Sequence, residues 1–115
     1  MSVLLTPKNL SLLYKGFADL PPFNKYKLPH HNQIEFKVIK DPHAYGFFSP
    51  DPLLIQISKA RCGHFTTIAA TMLHEMVHLT LYYNHGLKNY DEHNALFYKI
   101  LHKAANTYNL DPNFI

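Results

Sequence analysis

A single cysteine, Cys62, is the only one in these 115 residues. That excludes a disulfide framework and a four-cysteine zinc ribbon, and it fits a reducing, cytoplasmic setting. Long apolar runs are lacking too: nothing approaches the ~18 consecutive apolar residues that a membrane span needs. The opening Met1-Ser2-Val3-Leu4-Leu5 has no basic lead and too short an apolar run for a secretory signal. Neither sign of charge is in large excess, with 11 Lys and Arg against 8 Asp and Glu and a net charge of +3. So mild a charge allows contact with nucleic acid without requiring it. No low-complexity tract is present, and a hydrophobic share of 47% with eight Phe and eight Tyr indicates one folded domain over residues 1–115, built on a single core. A monomer is expected.

What is present in strength is one apolar stretch, from about Thr66 to Tyr83, free of Pro and Gly and long enough for five helical turns. At about 100° per residue, Thr67, Thr71, His74, Glu75, His78 and Tyr82 share one face. Ile68, Ala69, Met72, Leu73, Met76, Val77 and Leu79 cover most of the rest. A helix apolar over most of its girth is buried, so its polar stripe must line an internal site, since buried polar groups without partners cost about 1–3 kcal/mol each. Within that stripe lies His74-Glu75-Met76-Val77-His78. Histidines four apart stack one turn above the other, and both rings can reach one metal ion at roughly 2.0–2.1 Å. Glu75, one residue step away, can hydrogen-bond a water at that metal. This is the pattern of a zinc hydrolase in which the glutamate takes the proton from the attacking water.

Along the chain, Thr6-Pro7 provides an N-cap and a first-turn proline for a helix over 7–19, with Leu10, Leu13, Tyr14 and Phe17 on its apolar stripe and Pro21-Pro22 beyond it. Residues 23–32 read as a loop. Alternation over Gln33–Ile39 predicts a strand, Tyr45–Phe48 a short second strand and Leu53–Ser58 a third, with turn signals at Asp41-Pro42 and Ser49-Pro50-Asp51-Pro52 between them. Asn84-His85-Gly86 supplies a helix stop. Asn89 or Asp91 can then cap a final helix whose stripe is Leu96, Phe97, Ile100, Leu101, Ala104, Ala105 and Tyr108, ending before Asp111-Pro112. The expected fold is α+β, of about three helices and a small three-stranded sheet.

A catalytic zinc needs a third protein ligand. His85 would lie about 16 Å from His74 along a continuous helix. The metzincin pattern places Gly and then His at fixed steps after the second histidine; Leu81 and Asn84 stand there instead. Asp91 is a further candidate, Glu92 falls far from the apolar stripe of the last helix, and His102 lies off it. His93, one turn before Phe97, is the geometric choice. His30, His31, His43 and His64 are scattered in loops and turns.

These residues resemble a known family. The opening helix with Leu13-Tyr14 and Phe17, Leu28-Pro29, Tyr45-Gly46-Phe47-Phe48, Leu54-Ile55-Gln56-Ile57-Ser58, His74-Glu75-Met76-Val77-His78 and Asp91-Glu92-His93-Asn94-Ala95-Leu96-Phe97 look like a SprT-like zinc metalloprotease domain. That family includes bacterial SprT and the DNA–protein crosslink protease Spartan. The resemblance implies a minimal zincin-like metalloprotease domain, with His74, His78 and His93 as ligands of one zinc ion and Glu75 as catalytic base. The family's Gly and Pro beside the third histidine are replaced here by Glu92, Asn94 and Ala95, and the zinc ribbon that follows the domain in many members is not expected.

The expected activity is therefore zinc-dependent endopeptidase cleavage of a protein or peptide substrate, DNA-associated proteins among them. The peptide is expected along a sheet edge formed by Leu53–Ser58, with Tyr45, Tyr82 or Tyr83 as oxyanion donor. Two other readings fit the same residues. One is a DNA-associated binding module that keeps zinc for structure and contacts phosphate through Lys59, Arg61 and Lys88. The other is a metal-free interaction domain whose histidines are core residues.

Overall fold

A computed structural model of the chain describes residues 5–85 and 90–110. Its elements run α1 (Pro7–Ala18), 3₁₀ turns at Phe23–Lys25 and His31–Gln33, β1 (Glu35–Ile39), β2 (Gly46–Pro50), β3 (Leu53–Ser58), α2 (Phe65–His85) and α3 (Ala95–Thr107). The architecture is α+β, with three helices and a three-stranded mixed sheet. No described helix is long and apolar enough to cross a membrane.

Helix α1 starts as its sequence dictates: the Thr6 hydroxyl accepts from the Asn9 N–H, and proline occupies the first turn. Leu10 and Tyr14 are its fully buried side chains, and the Tyr14 hydroxyl donates to Pro29 O at 2.7 Å. Burial pushes the Tyr14 phenol well above its usual range, so this hydroxyl stays a donor.

The strand expected over Gln33–Ile39 is shorter. His30–Gln33 closes instead into a 3₁₀ turn with a capping box, in which His30 Nδ1 accepts from the Asn32 N–H and Gln33 Oε1 accepts from the His30 N–H. Local side-chain bonds of this kind outcompete ladder pairing at a strand entry. β3 lies in the middle of the sheet, parallel to β1 and antiparallel to β2. A peptide therefore cannot add along Leu53–Ser58, because both flanks of that strand are already paired. Sequential strands usually neighbour each other, and the separation of β1 from β2 is a long-range choice that local alternation does not encode.

Helix α2 packs on this sheet, and every residue from Ile68 to Leu81 except His74 is buried. Met72, Leu73, Met76, Val77 and Leu79 join Leu10, Tyr14, Phe23, Ile55, Ile57, Phe97 and Leu101 in one core cluster. Gly86, expected to stop α2, lies outside the described residues. Asn84 has a different role. Its side chain accepts from the Lys27 N–H and donates to Lys27 O, both at 2.9 Å, tying the end of α2 to the segment after α1. Asn84→Ala is expected to cost about 1–2 kcal/mol, seen as a lower urea midpoint with an unchanged m value.

Helix α3 is capped neither by Asp91 nor by Asn89, the latter outside the described residues. Asn94 is the N-cap, its side-chain oxygen accepting from the Phe97 N–H at 3.0 Å. The helix ends at Thr107, before Asp111-Pro112 as its sequence implies; those two residues lie outside the described ones. Asn109 takes the left-handed conformation at φ 58°, Leu110 N–H bonds Ala105 O at 2.8 Å and Asn109 N–H bonds Asn106 O at 3.4 Å. This is a Schellman closure with Asn in the place glycine usually fills.

Candidate metal centre

The stripe on α2 and the approach to α3 bring His74, His78 and His93 together. One ligand atom from each lies within 4.8 Å of the others, and the three form a group that could hold a metal ion. His78 Nε2 and His93 Nε2 are 3.3 Å apart. Two nitrogens bound to one tetrahedral zinc at 2.0–2.1 Å stand about 3.3–3.4 Å apart, so this spacing suits a shared ion. Three imidazoles with no thiolate also leave a fourth position for water or substrate, as catalytic zinc sites do.

The rings are held from behind. Phe97, fully buried, sits with its centroid 5.0 Å from that of His74, 4.7 Å from His78 and 4.5 Å from His93. His93 itself lies before the N-cap of α3, outside the helix, and is exposed overall. Its ring nevertheless stacks on Phe97 with an interplanar angle of 18°, so the one-turn relation to Phe97 holds although the residue is not yet helical. His78 Nδ1 lies 2.8 Å from Tyr90 O. Donation to that carbonyl puts the proton on Nδ1 and leaves the Nε2 lone pair for a ligand. Burial keeps the His78 pKa low, His93 adding to the effect while the Tyr90 bond and Asp91 oppose it; the neutral ring is the form that ligates.

Glu75 occupies the same helix face and is 5% exposed. Its carboxyl is pushed up to about 8, mainly by burial and further by the negative charge of Asp91. A carboxyl of raised basicity next to three convergent imidazoles is the combination general-base chemistry requires.

Gly46 is a residue of this site that sequence reasoning quoted but gave no role. A Cβ there would stand 2.7 Å from Gln56 O, 2.9 Å from Thr71 Cγ2 and 3.4 Å from Glu75 Oε2. Only a glycine lets β2 run this close to the face of α2 that bears Thr71 and Glu75. Its signal in sequence was a lone glycine inside a strand pattern. Gly46→Ala is expected to destabilise by about 1–3 kcal/mol through overpacking. Gly16, on α1 with nothing within 4 Å of an added Cβ, gives the opposite sign: Gly16→Ala is expected to stabilise by about 0.5–1 kcal/mol. Thermal denaturation of the two variants side by side measures both.

The remaining candidates stand apart. His85, Glu92 and His102 are exposed, and the His102 ring contacts only Tyr98 among the described ring contacts. Asp91 is exposed but near enough for its charge to act on Glu75 and His78. Cys62 is buried, its thiol 3.5 Å from Thr71 Oγ1 and raised in pKa by that burial, which makes it a poor nucleophile. Of the expected phosphate contacts, Arg61 is held by Tyr45, its guanidinium donating to the Tyr45 hydroxyl at 3.0 Å and lying over the ring, and Lys88 is outside the described residues. Tyr45, one of the three tyrosines expected as oxyanion donor, accepts in that bond. The Tyr82 ring instead packs edge-on against Phe48 of β2 and against Tyr90.

The chain matches no family model, no curated protein and no solved structure.

Proposed function

We propose that the protein is a zinc-dependent peptide hydrolase with His74, His78 and His93 as metal ligands and Glu75 as general base. The observation that carries this reading is the convergence of three imidazoles, two of them with Nε2 atoms 3.3 Å apart, on the helix face that also bears a buried glutamate. The SprT-like resemblance points the same way, and protein substrates, DNA-associated ones included, fit both.

Zinc held there supplies a Lewis acid that lowers the pKa of a water and polarises a carbonyl. Glu75 accepts the proton of the attacking water as its oxygen bonds to the carbonyl carbon. It then passes that proton to the amine nitrogen as the C–N bond breaks. Tyr90, through its carbonyl, fixes the tautomer of His78, and Phe97 fixes the directions of all three rings.

For the substrate path, β2 replaces β3. Among the described residues β2 pairs only with β3, so its outer flank can take an extended peptide by backbone pairing. Gly46 holds that flank close to Glu75. Phe48, Tyr82 and Tyr90, packed edge to face at 5.5–6.2 Å, provide an apolar wall further along.

The test is the metal content of protein purified without added zinc, together with cleavage of an unfolded protein such as casein. About one zinc per chain, and cleavage abolished by chelator and restored by zinc, supports the reading. Zinc without cleavage leaves a metal-stabilised binding module; no metal and no cleavage leave core histidines.

A further inference from the structure

On the α1 side of the molecule, away from the three histidines, a cavity of about 220 Å³ opens between α1 and the segment that follows it. None of the residues lining it belongs to the metal centre. Its volume lies below the 300–1,000 Å³ of drug-sized sites, which limits an occupant to a small metabolite. Its walls divide by chemistry. Tyr14, Tyr26, Leu28 and Pro29 make an apolar part, while Lys15 and Asp19 from α1 and His30 and His31 from the 3₁₀ turn bring opposite charges and ring N–H donors.

The polar part is pre-organised. His30 Nδ1 accepts from the Asn32 N–H at 3.3 Å, so the neutral ring carries its proton on Nε2 as a donor. His31 Nδ1 is engaged by Ser11 Oγ at 3.0 Å, and the two rings sit 4.3 Å apart. Tyr14, bonded to Pro29 O, fastens the apolar wall to the helix. Lys15 and Asp19 are one helical turn apart, about 6 Å along the axis, and make no ion pair with each other; the ion pair seen among the described residues is Lys37 with Glu35. Lys15, Asp19, His30 and His31 all line the same cavity. An anion alone would face Asp19, and a cation alone would face Lys15. A molecule carrying both charges on an apolar body satisfies every wall.

We propose that this cavity binds a free α-amino acid with an apolar side chain, its carboxylate at Lys15 and the His30 N–H, its ammonium at Asp19, and its side chain against Tyr26, Leu28 and Pro29. The test uses the full chain and three probes of one shape: L-leucine, 4-methylpentanoate, which lacks the ammonium, and isopentylamine, which lacks the carboxylate. Calorimetry, with the histidine Cε1–H signals as a site-resolved check, is expected to show L-leucine binding at least tenfold tighter than either relative. Lys15→Ala is expected to weaken L-leucine and 4-methylpentanoate but not isopentylamine, and Asp19→Ala to weaken L-leucine and isopentylamine but not 4-methylpentanoate. Both positions are exposed, so the variants fold. No binding by any probe at millimolar concentration overturns the proposal. So does 4-methylpentanoate binding as tightly as L-leucine, which would make the cavity a plain anion site.

Discussion

Glu75→Gln is expected to keep its metal and to lose peptide hydrolysis by about 10²–10⁴-fold, the usual contribution of a positioned general base. Gln is close to Glu in volume, so the packing of α2 against Gly46 is preserved, and a neutral amide is easier to bury than a carboxylate. The three imidazoles do not depend on the carboxyl for their placement, because Phe97 contacts all three rings and the Tyr90 carbonyl holds His78. What disappears is the one group on that helix face able to accept a proton from water and return it to the amine. The measurement is single-turnover cleavage of a fluorogenic peptide, with metal quantified in the same samples. A variant retaining more than a tenth of wild-type turnover at full metal loading would remove Glu75 from the role of base.

The parts of this molecule legible in sequence are those written in adjacent residues. Thr6-Pro7 announces the start of α1, and β3 falls on the six residues its alternation marks. The length of α2 follows from the absence of any breaker between Phe65 and His85, and its polar stripe named His74, Glu75 and His78 before any coordinates were needed. Sequence reasoning went astray where a distant partner decides. Whether β3 is an edge or the centre depends on β1 returning to its far side, a choice made by the core and not by residues 53–58 themselves. Asn84 lies in the stop signal within which the described part of α2 ends, yet local rules see only its neighbours and miss its tie to a distant segment. Its actual partner is the backbone of Lys27, 57 residues away in sequence. Asn94 outcompetes Asp91 as the cap because only its side chain is placed to meet the Phe97 N–H. Asn109 shows the same limit at the other end of α3: glycine is the expected marker of a Schellman closure, and Asn fills the left-handed position instead.

Those corrections bear on the site itself. Were β3 the edge, a bound peptide would lie across the outer side of the sheet. With β2 as the edge, the flank left unpaired among the described residues begins beside Glu75 and continues toward Phe48, so on the proposed reading one strand sets both the approach to Glu75 and the apolar surface along which side chains would lie. Gly46 is the joint between the two. It has no chemistry of its own, and its contribution is the space that a methyl group would take from Thr71 and Glu75.

His93→Ala is expected to remove the metal and, with it, metal-dependent thermal stability. The two histidines of α2 remain in the variant, but two ligands on one helix face bind zinc far more weakly than three, and neither can substitute for a nitrogen brought in from the segment before α3. In the wild-type chain a metal that binds only the folded state adds RT ln(1 + [L]/Kd), about 2.7 kcal/mol at a hundredfold excess over Kd. At about 4–8 °C per kcal/mol for domains of this size, chelator should therefore lower the melting temperature of the wild type by roughly 10–20 °C and leave that of His93→Ala unmoved. The substitution itself should disturb the fold little, since His93 is exposed and precedes the helix. The metal-free variant and the metal-free wild type should melt within about 2 °C of each other, because surface changes are usually within ±0.5 kcal/mol. A large gap between those two metal-free proteins would mean that His93 supports the fold through its stack on Phe97. A chelator shift equal in both would mean that the metal sits elsewhere.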